Sequence, residues 1–115
     1  LYKGKTVRYK MYLDDVRAPA HFGSGLKNTS GWLLARSYDE AVDMVESFGA
    51  PVYISFDHDL GDANVKTGYD FAKWLIEQDL DNNILPADFD FNVHSANPVG
   101  AANITNLLEP YLKTR

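Results

Sequence analysis

The chain contains no cysteine, which excludes disulfides, thiolate zinc sites, iron–sulfur clusters and a cysteine nucleophile. That absence suits a reducing compartment, and a cytoplasmic setting is the expectation. Glutamate is scarce: among 16 acidic residues only Glu40, Glu46, Glu77 and Glu109 are Glu. Positive charge is short as well. Eleven Lys and Arg leave a formal net charge of −5, which argues against an extended nucleic-acid-binding face, because phosphate affinity is built largely from basic side chains. A small phosphate-containing substrate or an RNA end stays compatible with such a chain. Long apolar runs are missing, so no membrane span is expected, and the first residues lack a signal-peptide hydrophobic region. Internal repeats and low-complexity tracts are absent too.

What is present is ordinary globular material, 45% hydrophobic and 23% charged over 115 residues. That length predicts a single domain, 1–115, able to bury a core of its own. Four apolar runs read as strands: Val7–Leu13, Trp32–Ala35, Pro51–Phe56 and Phe89–Val93. Their near-continuous apolarity predicts strands buried on both faces, as in a parallel sheet. Between them, Ser37-Tyr38-Asp39-Glu40 is a capping box opening a helix that Gly49 closes. Thr67 reads as the N-cap of a second helix. Asn97-Pro98 opens a third, with Pro110 expected to kink or end it and Tyr111–Arg115 left as a tail. Arg17–Gly31, holding Pro19, Gly23 and Gly25, reads as a long loop, and Asp79–Asp88 as a polar connection. Strands alternating with helices imply an α/β open parallel sheet in the order 2-1-3-4.

In such a sheet the ligand crevice lies beyond the carboxyl ends of the strands. The reactive-looking residues gather there: Asp14-Asp15 after the first strand, Asp57-His58-Asp59 after the third, His94-Ser95 after the fourth. The abundant Asp is therefore partly an accumulation at chain reversals, where capping and metal chemistry favour it. Asp14, Asp15 and Asp57 form an oxygen-ligand set suited to Mg²⁺, with Mn²⁺ as the alternative. Asp57 is also a candidate nucleophile toward phosphorus. His58 and His94 are candidate general acid/base groups, since an imidazole titrates near neutrality. His58, His94, Asp57 and Asp59 offer a second, mixed nitrogen–oxygen set for zinc, manganese or iron. Arg17 is a candidate phosphate clamp, and Thr67, Ser95 and Asn97 are candidate phosphate contacts at helix starts. His21, inside the long loop, carries no such expectation.

The segments Leu13-Asp14-Asp15-Val16-Arg17, Ser55-Phe56-Asp57-His58-Asp59-Leu60-Gly61, Thr67-Gly68-Tyr69-Asp70 and His94-Ser95-Ala96-Asn97-Pro98 resemble, in that order, the cyclic-phosphate-processing receiver-like domain family. That family is a divergent branch of the response-regulator receiver fold. The resemblance implies a flavodoxin-like sheet with Asp14 and Asp15 on the Mg²⁺-binding acidic pair. It also puts Asp57 on the phospho-accepting aspartate and Ser95 on the switch hydroxyl. Against the ordinary receiver pattern, the first helix is replaced by the Arg17–Gly31 loop. The fifth strand with its lysine is missing, the sheet being expected to stop before it, and Lys113 stands in the wrong context. His58 and His94 are additions. The expectation is a metal-dependent phosphodiesterase or phosphatase acting on a cyclic or terminal phosphate of a nucleotide or RNA end. The alternatives are an atypical signalling receiver phosphorylated on Asp57, or a non-enzymatic nucleotide- or protein-binding module.

Overall fold

Four short apolar runs form the sheet, and three amphipathic segments form the helices over it. In the computed structural model, which describes residues 8–18 and 31–115, the elements are β1 (Lys10–Leu13), β2 (Trp32–Ala35), α1 (Tyr38–Phe48), β3 (Tyr53–Phe56), α2 (Gly68–Asn82), β4 (Asp90–Val93) and α3 (Pro98–Thr114). All neighbouring strands are parallel, in the order β2-β1-β3-β4. The order and the α/β class are those the motif order implies. Val7, His21 and residues 19–30 of the expected loop lie outside the described residues. Among the described residues no helix is long and apolar enough to cross a membrane.

Local chemistry accounts for the helix starts. Ser37 Oγ accepts from the Glu40 N–H at α1, Thr67 and Asp70 cap α2 reciprocally, and Asn97 Oδ1 accepts from the Gly100 N–H at α3. Gly49, at φ 89°, ends α1 with a backbone conformation that favours glycine.

Two expectations about the helices require correction. Pro110 does not end α3, which continues to Thr114 with the proline inside it. The last turn is held from outside: Tyr111 Oη donates to Asp79 Oδ2 at 2.6 Å, and Arg115 donates to Asp79 at 3.0 Å and to the Leu85 carbonyl at 2.8 Å. Tertiary anchoring thus outweighs the lost backbone bond. Correspondingly, Asp79 is no ornament of a polar connection. It lies within α2, buried at 6% exposure, where its other oxygen accepts from the Leu85 N–H.

Parallel register sorts the sheet into two faces. Met11, Leu13, Ala35, Ile54 and Phe56 are fully buried and share one core with Ala41 and Val45 of α1, Phe71 and Leu75 of α2, and Ile104 and Leu108 of α3. All three helices therefore cover the same face. The opposite face carries Lys10 and Tyr12, Trp32, Tyr53 and Ser55, and Asn92, and among the described residues no helix packs on it. Burial on both faces, as the apolar runs suggested, does not hold there. Aromatic side chains kept those strands hydrophobic in composition without placing them in the core.

Candidate functional site

Strand alternation builds the site. Side chains two residues apart on a strand point the same way, and the ladder continues one step past each strand: Asp14 N–H donates to the Ala35 carbonyl, Asp57 N–H to Leu13, and His94 N–H to Phe56. Asp14 therefore follows Tyr12, Asp57 follows Ser55, and His94 follows Asn92, all on the helix-free face. Their donor atoms converge: one carboxylate oxygen of Asp14, one of Asp57 and a ring nitrogen of His94 lie within 4.8 Å of one another.

Asp14 is the most constrained member, with a fully buried side chain. Its Oδ1 accepts from the backbone N–H groups of Val16 (2.9 Å) and Arg17 (2.7 Å), and Oδ2 accepts from Arg17 Nε and faces His94 Nε2, each at 2.9 Å. Burial pushes the Asp14 carboxyl up, but these hydrogen bonds and the Arg17 charge outweigh it and hold the group below the usual carboxylate range. Arg17 also approaches Asp57 Oδ2 at 3.6 Å, so one guanidinium bridges both carboxylates. Arg36 fastens this corner by donating to the carbonyl oxygens of Asp14 (3.1 Å) and Arg17 (2.6 Å).

His94 is held at both nitrogens and on its face. Nε2 meets a carboxylate, which only accepts, so Nε2 carries a proton. Nδ1 lies 2.7 Å from Ser55 Oγ, and the Tyr12 ring stacks on the imidazole at 4.4 Å between centroids. The Ser55 hydroxyl can donate to a neutral ring or accept from a protonated one. Both charge states of His94 thus keep their partners.

Other expected site residues fall elsewhere. Asp15 and His58, each one position out of phase with an inward carboxylate, are not part of the converging group. His58 packs its ring against Gly100 of α3, and Nδ1 lies 2.8 Å from Asp59 Oδ1. Asp59 in turn accepts from Asn97 Nδ2 at 3.3 Å, and the His58 contact holds its carboxyl below the usual range. The mixed His58–His94–Asp57–Asp59 set is therefore split between two clusters. Ser95 Oγ accepts from the Asn97 N–H, while Thr67 exchanges bonds with Asp70. Thr67, Ser95 and Asn97 are thus engaged as caps in this structure. Lys113 borders a cavity that runs along β4 from Phe89 to Val93 with Thr105, Glu109 and Leu112 of α3, and it is not part of the converging group. Ser55, Tyr12 and Arg36 were not anticipated. The signal for all three was the two-residue period read backward from Asp57 and Asp14 and forward from Leu34.

Strand order, the carboxyl-end acidic pair and the helix arrangement define a receiver-like α/β domain. The chain belongs to the family described as cyclic-phosphate processing Receiver domain, whose match spans residues 9–110. No curated protein matches it. A solved structure, a fusion carrying the trimeric coiled coil of yeast Spc42, is similar with a TM-score of 0.58 at 18% identity, covering 93% of this chain and 68% of that one. At that identity the likeness concerns the fold alone.

Proposed function

We propose that this domain is a metal-dependent phosphoesterase that opens a cyclic phosphate, or removes a terminal one, on a nucleotide or RNA end. The observation carrying this reading is the convergence of Asp14, Asp57 and His94 within 4.8 Å on the helix-free face. Two carboxylates fit a divalent cation, Mg²⁺ or Mn²⁺, through their oxygens, while His94, protonated at Nε2 toward Asp14 and bonded to Ser55 at Nδ1, stands beside them as a proton-handling group. Asp14 and Asp57 would hold the cation, which supplies charge neutralisation and polarisation at the phosphoryl group. Arg17 turns Nε and one terminal nitrogen toward Asp14 and Asp57, and its remaining N–H groups would hold an anionic oxygen.

His94 serves as the proton carrier. In opening a cyclic phosphate, a water oxygen bonds to phosphorus and one P–O bond to ribose breaks. The water's proton passes to Nδ1, the ring nitrogen that carries none, with the Ser55 hydroxyl turning from donor to acceptor, and a proton returns from the ring to the departing ribose oxygen. Ser55 and Tyr12 keep the ring in place through both protonation states. His58, clamped against α3, supports the loop after β3 and is not needed for the proton.

The test is phosphorus NMR of adenosine 2′,3′-cyclic phosphate with purified protein and Mg²⁺ or Mn²⁺, paired with Mn²⁺ binding measured by electron paramagnetic resonance. Conversion to a phosphomonoester, with one tightly held Mn²⁺ lost in Asp57→Ala, is the expected result. Absence of both turnover and Mn²⁺ binding removes the reading.

A further inference from the structure

The helix-free face holds a cavity of about 410 Å³ lined by Lys10, Tyr12, Trp32, Tyr53, Ser55 and Asn92. Ligand sites begin at roughly 300 Å³. We propose that it binds the nucleobase of the same molecule whose phosphate meets Asp14, Asp57 and His94. This rests on the phosphoesterase reading and deepens it by assigning the place where the substrate's base is held.

Three observations support a base rather than another apolar group. First, the aromatic rings form a connected series: Tyr53 meets Trp32 edge-on at 6.1 Å, Trp32 meets Tyr12 at 5.8 Å, and Tyr12 stacks on His94 at 4.4 Å. Trp32, Tyr12 and Tyr53 are each half-buried, and rings half-open on a sheet face are platforms for bases. Second, the walls carry a sparse polar code. Asn92 Oδ1 accepts from Tyr53 Oη at 3.0 Å, leaving the Asn92 amide to donate, and the Lys10 ammonium sits 5.2 Å from the Trp32 ring centre. Third, register fixes the separation. Tyr12, Ser55 and Asn92 pair on one level, and Asp14, Asp57 and His94 stand two residues further along, about 6.6 Å at a strand's rise. A ribose can span that gap between its base and a phosphate on its hydroxyls.

The experiment is an NMR titration of the full chain with adenosine, adenosine 2′,3′-cyclic phosphate and inorganic phosphate. Both adenosine compounds are expected to shift the Trp32 indole and Asn92 amide signals, and inorganic phosphate to leave them in place. Trp32→Leu and Tyr53→Leu should each weaken the cyclic nucleotide about tenfold, the scale of one lost stacking contact, without changing phosphate binding. An oligonucleotide ending in a cyclic phosphate separates the two sources. Affinity equal to the mononucleotide's supports the free nucleotide, tighter binding supports the RNA end, and both retain the base in this cavity when Trp32 shifts. If adenosine leaves Trp32 and Asn92 unmoved while phosphate shifts His94, the base site is overturned and the phosphoesterase reading stands. Base binding without turnover under any metal removes the phosphoesterase reading and keeps the cavity's assignment. The wild-type shifts decide the matter even if a variant fails to fold.

Discussion

Asp14 concentrates the energetics of the site in one side chain. It is buried, ionised and bonded on both oxygens, so its charge is compensated only while those partners remain in place. Its folded pKa is depressed, and the sign follows from linkage. The stabilisation is fully present above the ordinary aspartate range near 3.9 and is lost as pH falls through the lower folded value. Asp14→Asn should cost roughly 2–4 kcal/mol at pH 7 by urea denaturation, with the gap to wild type closing at the acid end. Ser55 yields a different expectation. Ser55→Ala leaves His94 Nδ1 without its partner, so the variant should fold normally while turnover falls. Unchanged turnover would mean that the Ser55 bond does not hold the ring in its working position.

At the scale of elements, two glycines fix how the helices seat behind the site. A β-carbon on Gly68 would run into the Asp57 carbonyl oxygen, and one on Gly100 into the His58 ring. The first obstacle is backbone and cannot yield, so Gly68→Ala should destabilise by about 1–3 kcal/mol and disturb Asp57 directly. The second is a side chain. Gly100→Ala should be partly rescued by His58→Ala, whereas additive losses in a thermal-unfolding cycle would contradict the clamp. The sequence made some elements readable and left others hidden. Ser37, Thr67 and Asn97 carry their caps in neighbouring residues, so the helix starts could be read locally. Continuation of α3 past Pro110 could not, because the groups that hold it, Asp79 and Leu85, are distant in sequence. The strand ends announced Asp14, Asp57 and His94. Which neighbours joined them depended on alternation, and that separated Asp15 and His58 from the group although both belong to conspicuous motifs.

At the scale of the molecule, among the described residues the helices crowd one face of the sheet, and the Asp14–Asp57–His94 cluster lies on the other. Far from the site, the Asp79–Tyr111–Arg115 cluster ties the end of α3 to α2 and the segment that follows it. Burial, reinforced by the Asp79 carboxylate, pushes the Tyr111 phenol up to about 12. Its contribution is therefore complete below the ordinary tyrosine value near 10 and fades as pH rises through the folded one. An ultraviolet titration should show late-ionising tyrosines, since burial also raises Tyr12 and Tyr53, and Tyr111→Phe should remove the latest step at a cost of about 1–2 kcal/mol. Loss of the latest step in another tyrosine variant instead would refute this placement. The acidic balance of the chain matters less for its ligands than the net charge suggests. Arg17 already attends the buried carboxylates, Arg36 fastens the backbone carbonyl oxygens beside them, and a divalent cation would reverse the local sign in favour of phosphate. The most direct measurement is turnover of a 2′,3′-cyclic nucleotide with saturating Mn²⁺, compared among wild type, Asp57→Ala and His94→Ala. The account predicts hydrolysis by wild type and a loss of about 100-fold or more in each variant. Equal rates in all three, at folds verified by circular dichroism, would contradict it.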